Sequence, residues 1–506
     1  MPSNLQTKQI PRDLSTRFRP EPMNDLEQAS FDWFRYRATI KLSGVFGSRF
    51  WDMLVLQACM TTPAVLHALL ALGSAHMVEM MRGREATSGE SGQQLETFAL
   101  KQYNKAITCL RPHLTNNGQG GESAHVVLIT CVIFVCFELL QGRYVEGQTH
   151  LQNGLNLLSQ FQAELHTPGP RGVLVLGHPQ ESVIDGYLVE VLSRLHAQMS
   201  LFGPVPGAGC KSIAIATVIP DSTTQAPPPL FDSMNQARKH LEGLFNAIHC
   251  LTARCPRKHI VRDAPKALLD VQYRIQTYLR LWQQVYKLSR LKLISQLNLR
   301  NAQSYPLLTV YHTMAVVMVT TCLTPPDESI FDSFEVAFAS MVSTCEDMLR
   351  TAVQLMVSDR AAGFCSESFS FTADMGLIPP LYYTALKCRV PSIRRRAIKL
   401  LETATHKENI WNGAVAAQVA REVVKIEEYG FSSDLSGADV NCNPRCHGSS
   451  DGHLAGARVP KWSRVYGVFV DLSSGSSGKA TLSCERRRSE REWESLEKTI
   501  HLCHAS

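Results

Sequence analysis

From about residue 31 to residue 430, apolar positions recur every three to four residues, which predicts helices packed through one face. In "TPAVLHALLALGSAHMVEMM", Val65, Leu66, Leu69, Leu72, His76 and Met80 share a broad stripe, and Pro63 after Thr62 suits a first helical turn. "LETFALKQYNKAITCLRPHL" places Leu95, Phe98, Tyr103, Ala106, Ile107 and Leu110 on one side and Lys101, Lys105 and Arg111 on the other, with Pro112 as its stop. "RYVEGQTHLQNGLNLLSQ" repeats the spacing through Val145, Leu151, Leu155 and Leu158, and Gly154 on that stripe predicts a close helix neighbour. Further helices are predicted at about 181–202, 228–254, 262–298, 306–323, 330–356, 378–388, 391–405 and 412–428. Proline and glycine mark loops at 166–172, 202–212, 223–230 and 324–329. No fixed repeat length is found.

The pattern changes after residue 430. Residues 431–458, rich in Ser, Gly, Asn and Asp, predict a linker. "WSRVYGVFVDL" and "KATLSCERR" then flank "SSGSSG" as two strands and a hairpin loop, with a last short helix at about 489–501. The expected fold class is all-α: a large non-repetitive helical array with a small C-terminal β-hairpin. The expected organisation is a flexible N-terminal segment at 1–30, a helical domain at 31–430, a linker at 431–460, and a hairpin and short helix at 461–506.

At 506 residues, 44% of them apolar and 19% charged, the chain has a globular composition with room for a substantial core. The apolar runs at 126–140 and 309–323 are each about fifteen residues, short of the roughly 18–20 that cross a bilayer, and read as buried core helices. Of the 15 cysteines, Cys59, Cys109, Cys131, Cys136, Cys322 and Cys345 stand singly in apolar runs, as reduced buried thiols do. Residues 1–30 contain no apolar segment of the secretory type, so an intracellular, reducing compartment is expected. The net charge of +6 is compatible with a nuclear protein without defining a phosphate-binding surface.

Candidate chemistry is sparse. "GPVPGAGCKS" resembles a phosphate-binding loop, but Cys210 interrupts the Gly-Lys-Ser order and a helix, not a strand, leads into it. Cys442, Cys446, His447 and His453 could supply zinc ligands, yet they lie in the predicted linker, where an unliganded segment is the simpler reading. His67 and His76 read as satisfied core histidines. A helical enzyme would require a cluster such as Glu138, Glu146 and His150 around a metal. No catalytic, cofactor-binding or metal-binding residue is assigned, and no cofactor is expected.

The basic run "PSIRRRAIKLLETA" decides between nucleic-acid reading and a solvated helix face. On a helix, Ile393, Ala397, Leu400, Leu401 and Ala404 share one side, leaving Arg394, Arg395 and Lys399 opposite and Arg396 at the edge. These arginines are therefore expected in water, with a secondary use as a nuclear-import signal, and "ERRRSERE" at 485–492 is the other such candidate. Asn409 suits a left-handed turn, and Asn412 suits the cap of the next helix.

Four ordered blocks carry a family resemblance: residues 31–76, 99–114, 131–158 and the stretch from "GLIPPLYYTALKCRV" to "VAREVVKIEEYG". Together they resemble the regulatory region of fungal zinc-cluster transcription factors, in particular the subgroup that regulates secondary-metabolite gene clusters, over roughly residues 30–500. The resemblance implies a nuclear, non-enzymatic regulator that works with the transcription machinery or a related transcription factor, with room for a homo- or heterodimer. The family's DNA-reading module holds two zinc ions on six cysteines, and residues 1–30 contain no cysteine. The chain is accordingly expected either to start downstream of that module or to be a truncated relative, and no residue inherits a zinc-ligand or base-contacting role. The alternative is a non-DNA-binding protein that heterodimerises with, or titrates, an intact factor. Where relatives tend to carry Arg-Glu-Gly, this chain has Lys407, Glu408 and Asn409 ahead of Trp411, and its linker is longer.

Overall fold

A computed structural model describes residues 23–82, 90–115, 121–166, 186–202, 226–255, 264–298, 301–361, 371–404, 406–435, 459–472, 479–489 and 492–501. Helix α1 (Asp25–Trp33) opens on a capping box in which Asn24 and Glu27 satisfy each other's backbone amides. Wide π-helical turns at Phe34–Ala38 and Phe50–Leu54 flank α2 (Thr39–Leu42) and lead into α3 (Val55–Thr61). These turns bury Phe34, Phe50 and Trp51, whose rings meet edge to face. Helices α4 (Pro63–Arg82), α5 (Glu90–Thr115), α6 (Gly121–Leu140) and α7 (Tyr144–His166) form the next packed group.

Burial in this group goes further than a one-sided stripe. Residues 68 to 78 of α4 are all buried, and α6 presents apolar side chains in every direction, among them Val132, Ile133, Val135, Cys136 and Phe137. Pro63–Met81 and Ser123–Leu140 are long and apolar enough to pass as membrane spans, but 78% of each is buried inside the fold, so neighbouring helices take the place of lipid. The second window reaches 18 residues, longer than the run of fifteen read from the sequence. At Gly154 of α7 an added Cβ would lie 2.7 Å from the Cys131 sulfur of α6, the close approach predicted for that glycine.

The chain continues through α8 (Gly186–Phe202), α9 (Met234–Arg254), α10 (Lys266–Leu288), α11 (Arg290–Ser295), α12 (Ser304–Thr321), a 3-10 segment (Glu328–Phe334) and α13 (Glu335–Ala361). Helix α12 is the central rod of this half: Val310, Tyr311, Met314 and Val317 are buried, and it packs on α9, α10 and α13. Trp282 on α10 stacks on His312 of α12 and donates its indole N–H to the carbonyl of Ala237 on α9, tying three helices at one point. Helices α14 (Ile378–Lys387), α15 (Pro391–Thr403) and α16 (Gly413–Leu435) form the last helical group. Pro379, Pro380 and Pro391 all lie in first turns, where a missing N–H costs nothing.

Two small sheets interrupt the helices. Strand β1 (Phe371–Thr372) pairs parallel to β2 (Lys407–Glu408), which pairs antiparallel to β3 (Trp411–Asn412). Asn409 makes the turn between β2 and β3 at φ 55°, as predicted, and the Asn412 side chain accepts from the Val415 amide at 3.2 Å to cap α16. In the tail, β4 (Val465–Asp471) and β5 (Lys479–Arg487) are the predicted hairpin. The expected last helix is instead a third strand, β6 (Trp493–His501), antiparallel to β5 from Lys479↔His501 to Arg487↔Trp493. Leu496 and Ile500 are four apart, a spacing that serves one face of a helix or of a strand equally well, and the open edge of β5 selects the strand.

The fold class is therefore all-α with a small C-terminal antiparallel sheet. Val465, Val470, Leu482, Cys484 and Ile500 of that sheet belong to the same hydrophobic core as the helices. Helix α16 runs to Leu435, into the stretch read as linker, and the rest of that linker up to residue 458 lies outside the described residues. So do the phosphate-loop-like segment at 203–212, most of the loop at 166–172, and Cys442, Cys446, His447 and His453.

Candidate functional site

The polar features that stand out are charges buried where helices meet. On α8, Arg194 is packed against Glu190 at 2.6 Å and reaches Glu242 of α9 at 2.8 Å. Arg238, one turn before Glu242, pairs with it at 2.7 Å, contacts Asp374 of the loop after β1, and stacks its guanidinium over Phe46 at 4.2 Å. Burial drives the Glu242 carboxyl up, but Arg194 and Arg238 outweigh it and hold it below the ordinary carboxylate value. A cavity of about 10 Å³ lies among Phe46, Arg238, Phe245, Tyr311 and Met375, no more than a single water could fill.

Asp374 leads directly into a second cluster. Glu408 of β2 accepts the backbone amides of Gly376 at 3.1 Å, Leu377 at 2.8 Å and Ile378 at 3.0 Å, so the positive end of α14 is occupied by the protein's own carboxylate. His406 adds a contact to Glu408 at 2.7 Å, and the Tyr311 hydroxyl donates to the Gly376 carbonyl at 2.9 Å.

The third cluster corrects the reading of the basic run. Arg394 is not on the solvated side of α15: the buried face is Ile393, Arg394, Ala397, Ile398 and Leu401. Its guanidinium meets Glu427 of α16 at 2.6 Å and donates to the Ala385 carbonyl at 2.7 Å. Arg389, equally buried, meets Glu427 at 2.9 Å and donates to the Val465 carbonyl of β4 at 2.9 Å, while the Val465 amide donates to Glu427 at 2.8 Å. Burial raises the Glu427 carboxyl, yet Arg389 and Arg394 overcome this and bring it down to about 2. Glu328 meets Lys387 at 2.9 Å and Arg389 at 3.4 Å, and Arg464 meets Asp332 at 2.9 Å, extending the network to the 3-10 segment.

Only Arg395, Arg396 and Lys399 keep the expected exposure, and Arg396 pairs with Glu346 of α13. An arginine on a helix face ordinarily turns to water, but a buried carboxylate on the adjoining helix, Glu427, draws Arg394 inward. In "ERRRSERE", Arg486 lies in β5, is buried, and pairs with Glu494 of β6.

Glu138, Glu146 and His150 lie near one another around Tyr103 but do not form a metal-holding group. Glu138 pairs with Arg143 at 3.4 Å, whereas His150 contacts the Tyr103 hydroxyl at 3.1 Å, and among the described residues no three His, Cys, Asp or Glu side chains are grouped to hold a metal. His67, half-buried, contacts Gln102 at 2.7 Å, and buried His76 accepts from the Trp33 indole at 3.2 Å while its Nε2 has no hydrogen-bond partner among the described residues. Burial, with Lys41 nearby, lowers the His76 value to about 4, so the ring is neutral. Cys59 and Cys131 are pushed up to about 12 by burial and are poor nucleophiles, in keeping with thiols acting as small hydrophobes.

An all-helical array whose interior charges pair with one another is a scaffold: these groups fix how helices and sheet dock. Residues 37–182 match the model of the fungal specific transcription factor domain. Among curated proteins, the chain is 23% identical over 476 residues to the aspercryptin biosynthesis cluster-specific transcription regulator atnN of Emericella nidulans, covering 79% of this chain and 74% of that protein. It is also 24% identical over 143 residues to the transcription regulator lscL of Purpureocillium lilacinum, covering 28% of this chain and 33% of that protein. No solved structure matches. The chain thus carries a fungal specific transcription factor domain and is homologous to fungal transcription regulators, one of them cluster-specific.

Proposed function

We propose that this protein is a nuclear regulator of transcription of a fungal gene set, such as a secondary-metabolite cluster, and that its helical body at 31–430 is the regulatory domain. The similarity to atnN, spread over 79% of the chain and not confined to one block, carries this reading. The interior supports it: buried Arg194, Arg238, Arg389 and Arg394 all face carboxylates of the same chain, which leaves regulation to the outer surface. Deleting the gene and profiling transcripts tests the proposal. A contiguous set of genes losing or gaining expression supports it, and an unchanged transcriptome under conditions that express the protein overturns it.

A second reading is that the protein works with an intact zinc-cluster factor, by heterodimerising with it or titrating it. Chromatin occupancy of the tagged chain separates the two. Discrete promoter peaks that survive loss of partner factors favour direct contact, and peaks that vanish with a partner favour the second reading.

A further inference from the structure

Helices α10 and α11 follow one another through Ser289 and bury Ile275, Leu279, Trp282, Tyr286 and Leu293 against the body. The opposite face carries large apolar side chains among the uncharged polar Thr277 and Gln284. Tyr273 is 67% exposed, Leu288 72% and Leu291 85%, with Leu281 also exposed, and their spacings of eight, seven and three keep them on one stripe. At 1.5 Å per residue the stripe is about 27 Å long, the length of a helix of roughly 18 residues. Scattered exposed leucines are ordinary, but an aligned row on one helix face marks a contact surface.

Its flanks are basic. Lys266, Arg274, Arg280, Lys287, Arg290 and Lys292 are all exposed, against the single acid Asp270. Six cations and one acid leave +5 on 30 residues, nearly the whole of the chain's +6. Lys292 pairs with Asp232 at 2.6 Å, and Arg280 stays on its own helix, donating to the Thr277 hydroxyl at 3.2 Å and lying over the Tyr273 ring. A second copy of this chain would set +5 against +5 and is disfavoured by repulsion. Nucleic acid would meet the cations, but a central row of Tyr and Leu offers phosphates nothing.

We propose that the outer face of α10 and α11 docks an acidic amphipathic helix of another protein, its apolar residues seated along Tyr273, Leu281, Leu288 and Leu291 and its carboxylates paired with the flanking cations. This names a kind of partner for the regulator proposed above without resting on it, because binding is read on the purified chain and the transcript profile is not.

The test uses the full chain and a labelled 20-residue helical peptide with leucine at heptad spacing and glutamate on both flanks, followed by fluorescence anisotropy. Saturable binding is expected, weakened about tenfold or more by Leu288→Glu with Leu291→Glu and by added salt, while circular dichroism and the melting temperature stay unchanged. Charge reversal at Arg280→Glu and Lys287→Glu is expected to abolish binding of the acidic peptide and restore it for a lysine-flanked one. The proposal is overturned if the acidic peptide does not bind, if it binds no better than a scrambled peptide of the same composition, or if the leucine substitutions leave binding intact. It is likewise overturned if a DNA duplex competes for the site at equal affinity, or if sedimentation shows a dimer that the same substitutions dissociate.

Discussion

Two regions of this molecule are rich in cations and use them in opposite ways. Around α15, Arg389 and Arg394 are turned inward onto Glu427, and each also donates to a backbone carbonyl. On α10 and α11, Arg274, Arg280, Lys287 and Arg290 stay in water beside exposed leucines. Charge and residue type are the same; what differs is whether a neighbouring segment brings a carboxylate to the buried side. Where it does, arginine becomes a joint between helix and sheet. Where it does not, it remains available to a partner.

The sharpest way to break this comparison is to remove the shared carboxylate. Glu427→Gln leaves buried Arg394 without its paired carboxylate and Arg389 with Glu328 alone at 3.4 Å, and is expected to cost about 3–5 kcal/mol in urea unfolding. The pH dependence has a definite sign. The Glu427 carboxyl is held at about 2 in the folded chain against an ordinary 4.5, so its stabilisation is complete above that ordinary value and fades as pH falls from about 4.5 to about 2. The gap between the parent protein and Glu427→Gln is expected to close over that window; a gap that is constant with pH would show that Glu427 is not charged in the fold.

Next comes Arg394→Ala, expected to cost about 3 kcal/mol by removing one half of a buried pair, with Arg395→Ala as the neighbour that leaves the unfolding midpoint unchanged. Equal effects at the two positions would return Arg394 to the solvated side. Gly154→Ala follows, at about 1–3 kcal/mol from overpacking against the Cys131 sulfur; adding Cys131→Ala is expected to recover most of the loss in a double-mutant cycle. The smallest effect is at the β2–β3 turn: Asn409→Ala is expected to lower stability by about 1–2 kcal/mol through the left-handed backbone and the lost buried hydrogen bond to Gln198, whereas Asn409→Gly loses only the hydrogen bond and melts between Asn409→Ala and the parent.

Much of the fold was legible because it is local. Helix positions, the proline starts, the Asn409 turn, the Asn412 cap and the tight approach at Gly154 each depend on residues a few positions apart. The candidate site was not legible, because each of its charges finds its partner on another element. Arg238 and Asp374 lie far apart in sequence, and Glu408 is on a separate segment from the amides of Gly376, Leu377 and Ile378 that it accepts at the start of α14. Only the mid-helix position of Glu427, among Val423, Val424 and Ile426, hinted that a cation would be needed inside.

What the sequence by itself determined is most of the rods and their proline and asparagine starts, since these signals act over one or two turns; their ends were less well fixed, as α5 continues through Pro112 to Thr115 instead of stopping there. Tertiary structure alone decided that Arg394 lies in the core and that residues 493–501 form a strand. The physical reason is common to both: an ion pair and a strand edge are satisfied by groups from elsewhere in the chain, and no local pattern records which group arrives.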